Sequence, residues 1–333
     1  MKLNLNRTCN LFINSLQSGA ISVLLMVASV SVHAQSYPSQ AVRLVVPFAP
    51  GGGSDIMART ISEPLARGLG VAVVVDNKPG AGAVIGADIV AKSKPDGYTI
   101  LYTTIGPQIT NPFLMKQLPY DPVGDLIPVA SVGQLINVLA VPPSLPVKST
   151  KELIQFAKGN PGKVNFSSSG VGTSSHLGGE LFKSMSGTEM THIAYKGTGP
   201  ALGDLMAGNV QMTIDSLVTL LPLIKSGKLV ALGVSSTDRS PLLPDVPSVS
   251  ESLVGFESST INYLTARTGT PRSVIDRLNK EMGVVLRSPE VQERFISMGI
   301  QPLVETPEVL GLRIKKETEK WRKVIEVSGA KID

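Results

Sequence analysis

Residues 45–55 read VVPFAPGGGSD, and this stretch decides the fold class of the chain. It begins with apolar, β-branched residues typical of a strand, turns through glycines at positions 51–53, and passes into an amphipathic helical pattern. Glycine has no Cβ, so the backbone can turn tightly and a ligand can come close. A side chain at Ser54 or Asp55 can cap the helix, while the remaining N–H groups and the helix dipole attract an anion. The stretch therefore indicates either an anion-binding loop or an ordinary strand-to-helix turn.

The same order of strand and helix recurs along most of the chain. Such alternation is typical of parallel sheets covered by helices on both faces, so we predict an α/β fold. The predicted strands are Val42–Pro47, Val71–Val75, Tyr98–Thr103, Asn137–Val141, Val164–Ser168, His192–Tyr195, Val210–Ile214 and Leu229–Val234.

The length of 333 residues exceeds the ~100–150 residues of a typical domain, so we expect two domains. We place the first at residues 35–139 plus 260–333 and the second at residues 140–259. Pro142-Pro143 and the segment Ser258–Tyr263 are the candidate crossings between them.

Residues 1–34 have the pattern of a secretory signal peptide. Lys2 and Arg7 precede an apolar run that is shorter than the ~20 residues of a spanning helix, and small residues lead up to a cut after Ala34. We therefore predict export and a mature chain without cysteine, because Cys9 lies in the removed segment. A disulfide or a cysteine-ligated metal site is then excluded.

Four loops that follow predicted strands are rich in glycine and hydroxyl side chains. They are residues 51–55, 103–108, 167–176 and 195–201. Ligands of open α/β sheets bind outside the carboxyl ends of the strands, so these loops predict one shared cleft. The cleft would offer N–H and O–H donors to a small anion.

The sequence lacks the patterns of several enzyme classes. His176 and His192 are the only histidines after residue 34, and no His-Glu-x-x-His or Gly-x-Ser-x-Gly motif occurs. Gly80–Gly86 is one residue too long for a dinucleotide fingerprint, and Asp96 precedes the strand that it should follow, so we assign these glycines to packing and turns. We therefore predict no catalytic residue, metal or cofactor. The absence of a basic block also argues against nucleic acid as a partner.

Some polar residues have two interpretations at this stage. His176 is either a polar residue at a helix start or a ligand contact. Lys196 either pairs with a ligand carboxylate or is a solvated loop residue. Asp55 and Asp215 each follow a strand, where they can receive an ammonium or hydroxyl group or cap the next helix. Trp321 is interpreted as a packing anchor.

The chain resembles the periplasmic solute-binding receptors of tripartite tricarboxylate transporters, known as the Bug family. The resemblance covers essentially the whole chain after the signal peptide. The segments that carry it are Pro47–Asp55, Asp76–Gly82, Lys94–Thr99, Leu118–Pro122, Ser168–Ser174, Tyr195–Ala201 and Leu243–Ser248.

The resemblance implies a two-domain periplasmic binding protein fold of type II-like form, each domain a mainly parallel sheet flanked by helices. It further implies a ligand cleft between the domains, closure on a small organic carboxylate, integral-membrane transporter subunits as partners, and a monomer in the periplasm. The binding residues carried over from the family, with further cleft positions, are Phe48, Gly52, Gly53, Asp55, Thr104, Ser169, Gly170, Thr173, His176, Gly197, Thr198 and Asp215.

Ile261-Asn262-Tyr263 departs from the family pattern near the second crossing. Tyr263 either faces the cleft and narrows it or packs under the hinge. Two other functions remain open: a periplasmic enzyme that uses Lys196, His176 and Asp55, and a receptor that serves a signalling partner.

Overall fold

The computed structural model describes residues 37–328, so the predicted signal peptide and Cys9 lie outside the described residues. Within them, no helix is long and apolar enough to cross a membrane. The strands are β1 (Val42–Val46), β2 (Val73–Asn77), β3 (Thr99–Thr103), β4 (Leu126–Leu135), β5 (Asn137–Val141), β6 (Val164–Ser168), β7 (Met190–Ala194), β8 (Met212–Ser216), β9 (Val230–Val234), β10 (Thr260–Arg267) and β11 (Ile300–Pro302). The α-helices are α1 (Gly53–Leu69), α2 (Val84–Ala91), α3 (Asn111–Leu114), α4 (Thr150–Gly159), α5 (Ser174–Ser186), α6 (Thr198–Ala207), α7 (Leu217–Lys225), α8 (Arg272–Arg287), α9 (Pro289–Ser297) and α10 (Pro307–Ser328).

Two sheets organise residues 40–328. One has six strands in the order β11-β4-β10-β3-β1-β2, and the other has five in the order β7-β6-β8-β5-β9. The chain leaves the first sheet after β4, enters the second through Ile136 and β5, and returns to the first at β10. The predicted α/β class is confirmed.

The expectation of mainly parallel sheets was wrong, because both sheets are mixed. β1 pairs in parallel with β2 and β3, and β6 pairs in parallel with β7 and β8. β10 is antiparallel to both β3 and β4, and β5 is antiparallel to both β8 and β9. The antiparallel pairs follow from the path of the chain. The end of β4 lies beside the start of β10, and the start of β5 lies beside the end of β8, so the paired strands run in opposite directions. Neighbours of this kind have no helical crossover to keep them parallel.

All eight predicted strands are present, with bounds shifted by up to two residues, but β4, β10 and β11 were not predicted. β4 contains Pro128 and Gly133 and is buried on both faces, so it shows no alternating pattern. Pro128 is tolerated because the register of β4 against β10 shifts beside it, between Leu264 and Thr265.

The C-terminal helix α10 packs its apolar face into a core cluster. Trp321 is fully buried there with Ile105, Leu177 and Leu310, which confirms its interpretation as a packing anchor. Tyr263 is fully buried in the same cluster, so it packs under the β10 segment instead of facing the cleft.

Candidate functional site

The loops that follow β1, β3, β6 and β7, together with the end of β8, meet around one narrow cavity of about 40 Å³. The first two loops belong to the six-stranded sheet and the last two to the five-stranded sheet, so the cavity lies in a cleft between the sheets. The cavity is lined by Phe48, Gly52, Gly53, Ser54, Thr104, Leu135, Asn137, Ser169, Thr173, Ser174, Thr198, Asp215, Ser216, Thr260 and Asn262.

Most of the predicted binding residues are brought together by the fold. Those that line the cavity are Phe48, Gly52, Gly53, Thr104, Ser169, Thr173, Thr198 and Asp215. Gly170 instead lines a neighbouring cavity of about 200 Å³, together with Lys196 and the loop Gly80–Ala83. Asp55, His176 and Gly197 line neither of these two cavities.

Asp55 positions the glycine loop instead of facing the cavity. Its carboxylate accepts hydrogen bonds from the backbone of Gly51 at 2.9 Å, from Asn77 Nδ2 at 2.9 Å and from Arg59 Nε at 3.0 Å. Burial opposes the charged form of Asp55, but these three donors outweigh burial and lower its pKa. Gly52 is the N-cap of α1 and no side chain caps it, so neither Ser54 nor Asp55 serves as the predicted N-cap.

His176 orders the loop that precedes α5. Its Nδ1 accepts a hydrogen bond from the backbone of Gly172 at 3.1 Å, so this nitrogen carries no proton. Its ring stacks on His192 at 4.1 Å, and His192 Nε2 lies 2.6 Å from Ser168 Oγ. Burial, with smaller effects of His192 and Lys183, lowers the pKa of His176 to about 3. Burial likewise lowers the pKa of His192 to about 4.

Gly197 allows the loop before α6 to approach the loop after β1. Its φ is +127°, and a Cβ there would lie 3.3 Å from Ala49. The backbone N–H of Ala49 donates to the carbonyl of Lys196 at 3.3 Å. A second contact between the halves joins Thr110 Oγ1 to the carbonyl of Gly172 at 2.5 Å. The two walls of the cleft are therefore in direct contact at two points.

Within residues 37–328, three side chains that line the cavity each have a polar atom without a hydrogen-bond partner. They are Thr104 Oγ1, Ser216 Oγ and Asn262 Nδ2, and each residue is at least nine-tenths buried. The other end of the Asn262 amide, Oδ1, accepts from Tyr102 Oη at 2.9 Å. A buried polar group without a partner costs about 1–3 kcal/mol. A ligand that supplies partners would recover this free energy.

Four helices begin at the cavity wall. Gly53, Ser174 and Thr198 are the first residues of α1, α5 and α6, and Ser216 is the N-cap of α7. The sequence places a glycine or hydroxyl residue at each of these starts, where free backbone N–H groups need acceptors. Helix N-termini favour negative charge, so their convergence makes an anion site.

Asp215 is the ionisable side chain in this lining. Its Oδ1 accepts from the backbone of Ser216 at 2.7 Å, and its Oδ2 accepts from Thr198 Oγ1 at 2.8 Å. Burial raises its pKa to about 6, against the lowering effect of Ser216, Thr198 and Ser175. Across the described residues, no cluster of His, Cys, Asp or Glu is able to hold a metal ion.

Several lining residues were not predicted because their strands were not. Leu135 ends β4, while Thr260 and Asn262 lie on β10. Asn137 lies just after the crossing and donates from Nδ2 to the carbonyl of Ser258 at 3.1 Å, which ties the two crossing segments together. The departure of Ile261-Asn262-Tyr263 from the family pattern was the one feature of the sequence that pointed to this segment. The residue of the three that lines the cavity is Asn262 and not Tyr263.

Comparison with known proteins places this geometry in a family. Residues 57–330 match the model of the tripartite tricarboxylate transporter family receptor. Protein BugT of Bordetella pertussis is 39% identical over 303 residues, which cover 90% of this chain and 93% of BugT.

Solved structures agree with this match. The structure of R. palustris Rpa4515 with adipate superimposes with a TM-score of 0.86 at 35% identity, covering 88% of this chain and 98% of that one. The periplasmic binding protein BugD superimposes with a TM-score of 0.85 at 36% identity, covering 89% and 99%. The chain therefore belongs to the receptor family of tripartite tricarboxylate transporters.

Proposed function

We propose that this protein is a periplasmic receptor that captures a small organic carboxylate in the cleft and delivers it to integral-membrane transporter subunits. The observation that carries the proposal is the buried cavity in which four helix N-termini meet three unpartnered polar side chains. Membership of the receptor family supports the transporter as partner. Adipate in the related Rpa4515 structure supports a carboxylate as ligand.

The proposed carboxylate is held by neutral donors. Thr104, Ser216 and Asn262 supply side-chain donors, and the starts of α1, α5, α6 and α7 supply backbone N–H groups. Hydrogen bonds to a charged group are stronger than those between neutral groups, so donors without charge suffice to hold an anion. Of the predicted site, we retain the eight residues that line the cavity and add Ser216 and Asn262.

Closure of the cleft accompanies binding in this proposal. Each sheet forms the centre of one domain, and the hinge consists of the two crossing segments beside Ile136 and Ser258. The contacts of Ala49 with Lys196 and of Thr110 with Gly172 would form on closure. We further propose that the receptor is a monomer and does not bind nucleic acid.

Binding without turnover is favoured over an enzyme. General acid–base chemistry needs a titratable pair within hydrogen-bond reach of the substrate. The three residues considered for such a pair lie in different surroundings. Asp55 is hydrogen-bonded to Arg59, His176 stacks on His192, and Lys196 lines the neighbouring cavity. The proposal therefore includes recovery of the bound acid unchanged.

A calorimetric panel tests the proposal. The exported protein, expected to begin at Gln35, is titrated with adipate, malate, citrate and benzoate. At least one acid should bind, and a ligand at 100 times its Kd should stabilise the fold by about 2.7 kcal/mol.

A matched pair of variants locates the site. Ser216→Ala removes a cavity hydroxyl and should weaken binding, whereas Ser226→Ala removes an exposed hydroxyl at the end of α7 and should not. Equal affinities for the two variants would contradict the proposed site. Failure of every acid to bind would contradict the proposed function.

A further inference from the structure

A carboxyl group, that of Asp215, is unexpected in the lining of a site that binds anions. It is the one ionisable side chain among the described residues that line the cavity, and it is only 5% exposed. A carboxylate ligand that enters the cavity therefore meets a second carboxyl group in a space shielded from water. Two carboxylates that share such a site repel each other, and one of them then takes up a proton.

Among the residues that the structure describes, no cationic side chain lies beside Asp215 to relieve this repulsion. α6 presents Thr198 to it, the start of α7 presents Ser216, and α5 presents Ser175. Each of these groups is neutral. The same helix α5 also carries His176 and Glu180, but the His176 ring stacks on His192 and Glu180 pairs with Lys183.

The opposite wall of the cleft is also uncharged. Gly53, Thr104 and Asn262 line it, and none of them ionises. Lys196 lies in the neighbouring cavity and is not part of this lining. Within the described part of the chain, an anion bound here has no positive side chain beside it to compensate for Asp215.

A hydrogen-bond path connects Asp215 with the rest of the cavity. Ser175, which hydrogen-bonds to Asp215, also lies 2.9 Å from Ser169 Oγ and accepts from the backbone of Ser169 at 2.9 Å. Ser169 lines the cavity itself. A change in the protonation of Asp215 therefore alters the hydrogen bonding of Ser169, which lines the cavity and can donate to a ligand.

We infer that binding of a small carboxylate in this cleft is coupled to the uptake of one proton, which Asp215 and the ligand's carboxylate share. The inference rests on the proposed function and names a requirement of the same site. Because burial places the pKa of Asp215 at about 6, the group is mostly ionised at neutral pH before ligand arrives and is ready to accept the proton.

The sign of the proton change distinguishes two classes of ligand. An acid without a cationic group raises the pKa of Asp215 and causes proton uptake. A ligand whose ammonium group pairs with Asp215 would lower that pKa and cause proton release. The cleft is thus expected to prefer simple organic acids, and to bind them more tightly as the pH falls towards 6.

The direct test counts protons on the unmodified protein. The tightest-binding acid of the panel of adipate, malate, citrate and benzoate is titrated at neutral pH in two buffers that differ in ionisation enthalpy. The expected result is an uptake of roughly 0.5–1 proton per ligand molecule bound. Above neutral pH the Kd should then increase with each pH unit, by a factor that approaches about ten. Binding without uptake, or with release of a proton, would overturn the inference while leaving the proposed function intact. If no acid binds, the proposed function fails first.

A variant assigns the proton to its residue. Asp215→Asn keeps the size of the side chain and an oxygen acceptor but cannot take up the proton. We expect the uptake to disappear and the affinity to become nearly independent of pH above about 7, where the free acids are themselves largely ionised. Asp238→Asn, which removes an exposed carboxylate, is the matched control and should retain the uptake. Uptake that persists in Asp215→Asn places the proton elsewhere and contradicts the inference, and if this variant does not fold, the proton count on the unmodified protein decides alone.

Discussion

At the scale of single residues, the cleft separates two kinds of hydroxyl group. Thr173 Oγ1 is engaged with the protein, since it donates to the carbonyl of Gly170 at 2.6 Å and caps α5 by accepting from the backbone of His176. Thr104 Oγ1 and Ser216 Oγ have no partner among the described residues. The sequence alone cannot distinguish these residues. A hydroxyl group after a strand has the same local pattern whether it is hydrogen-bonded within the protein or free to bind a ligand.

Thr104→Val and Thr173→Val are therefore expected to differ in effect. Thr104→Val keeps the shape of the side chain and removes an unpartnered group, so it should lower ligand affinity by about 1.5–3 kcal/mol with little change in the free energy of unfolding. Thr173→Val removes a helix cap and should lower the free energy of unfolding by about 1–2 kcal/mol. Denaturant titrations and calorimetry on both variants measure the two quantities. Equal loss of stability in both would contradict the distinction.

The histidine pair predicts how stability depends on pH. His176 and His192 have pKa values of about 3 and about 4 in the folded protein, below the ordinary value of 6.5. The unfolded chain then binds more protons between pH 6.5 and 4, so the free energy of unfolding falls as the pH falls through this window. Asp215 acts in the opposite direction below pH 6, because its folded pKa is raised.

The contribution of His176 is isolated by comparison with His176→Asn, whose amide offers an acceptor near the position of Nδ1. We expect the variant to lose less stability than the natural protein between pH 6.5 and 4, in denaturant titrations at a series of pH values. Parallel curves for the two proteins would show that the pKa of His176 is not lowered by folding.

At the scale of elements, the starts of four helices and the ends of four strands make the site. The sequence predicted the strand-end loops because glycine, hydroxyl and proline residues mark them directly. It did not predict β4 and β10, which are buried on both faces and lack alternation. Their residues reach the cavity only through the pairing of distant segments, such as Leu135 with Thr260. That pairing depends on the path of the chain between the sheets, and no periodicity in either segment indicates it.

The loop before α2 comes close to the opposite wall of the cleft at a glycine. Gly82 has φ +59°, and a Cβ there would lie 2.3 Å from the carbonyl oxygen of Val171 in the other half of the cleft. Gly82→Ala should therefore weaken ligand binding by holding the walls apart. Gly70→Ala is the matched control, since Gly70 has φ +76° and a Cβ added there would meet no described atom within 4 Å.

Both glycine variants bear the cost of a positive φ, roughly 1 kcal/mol of stability. Only Gly82→Ala should also reduce affinity, as measured by calorimetry. An unchanged affinity in Gly82→Ala would mean that this approach of the two walls is not needed for binding.

At the scale of the whole molecule, the proposed closure moves the two mixed sheets relative to each other about the crossing segments. The proposed hinge is the pair of crossing segments beside Ile136 and Ser258, which a hydrogen bond from Asn137 to Ser258 connects. Small-angle scattering should show a smaller radius of gyration with a saturating ligand than without it. An unchanged radius, with binding confirmed by calorimetry, would contradict closure.

We propose that a carboxylate binds where four helix N-termini meet the unpartnered side chains. The most direct measurement is a crystal structure of the protein with the tightest-binding acid of the panel. We expect a carboxylate oxygen within hydrogen-bond distance of at least two of Thr104, Ser216 and Asn262, with the walls of the cleft in contact around it. A ligand bound outside this cavity, or inside it without contact to any of these three residues, would show that the proposed site is wrong.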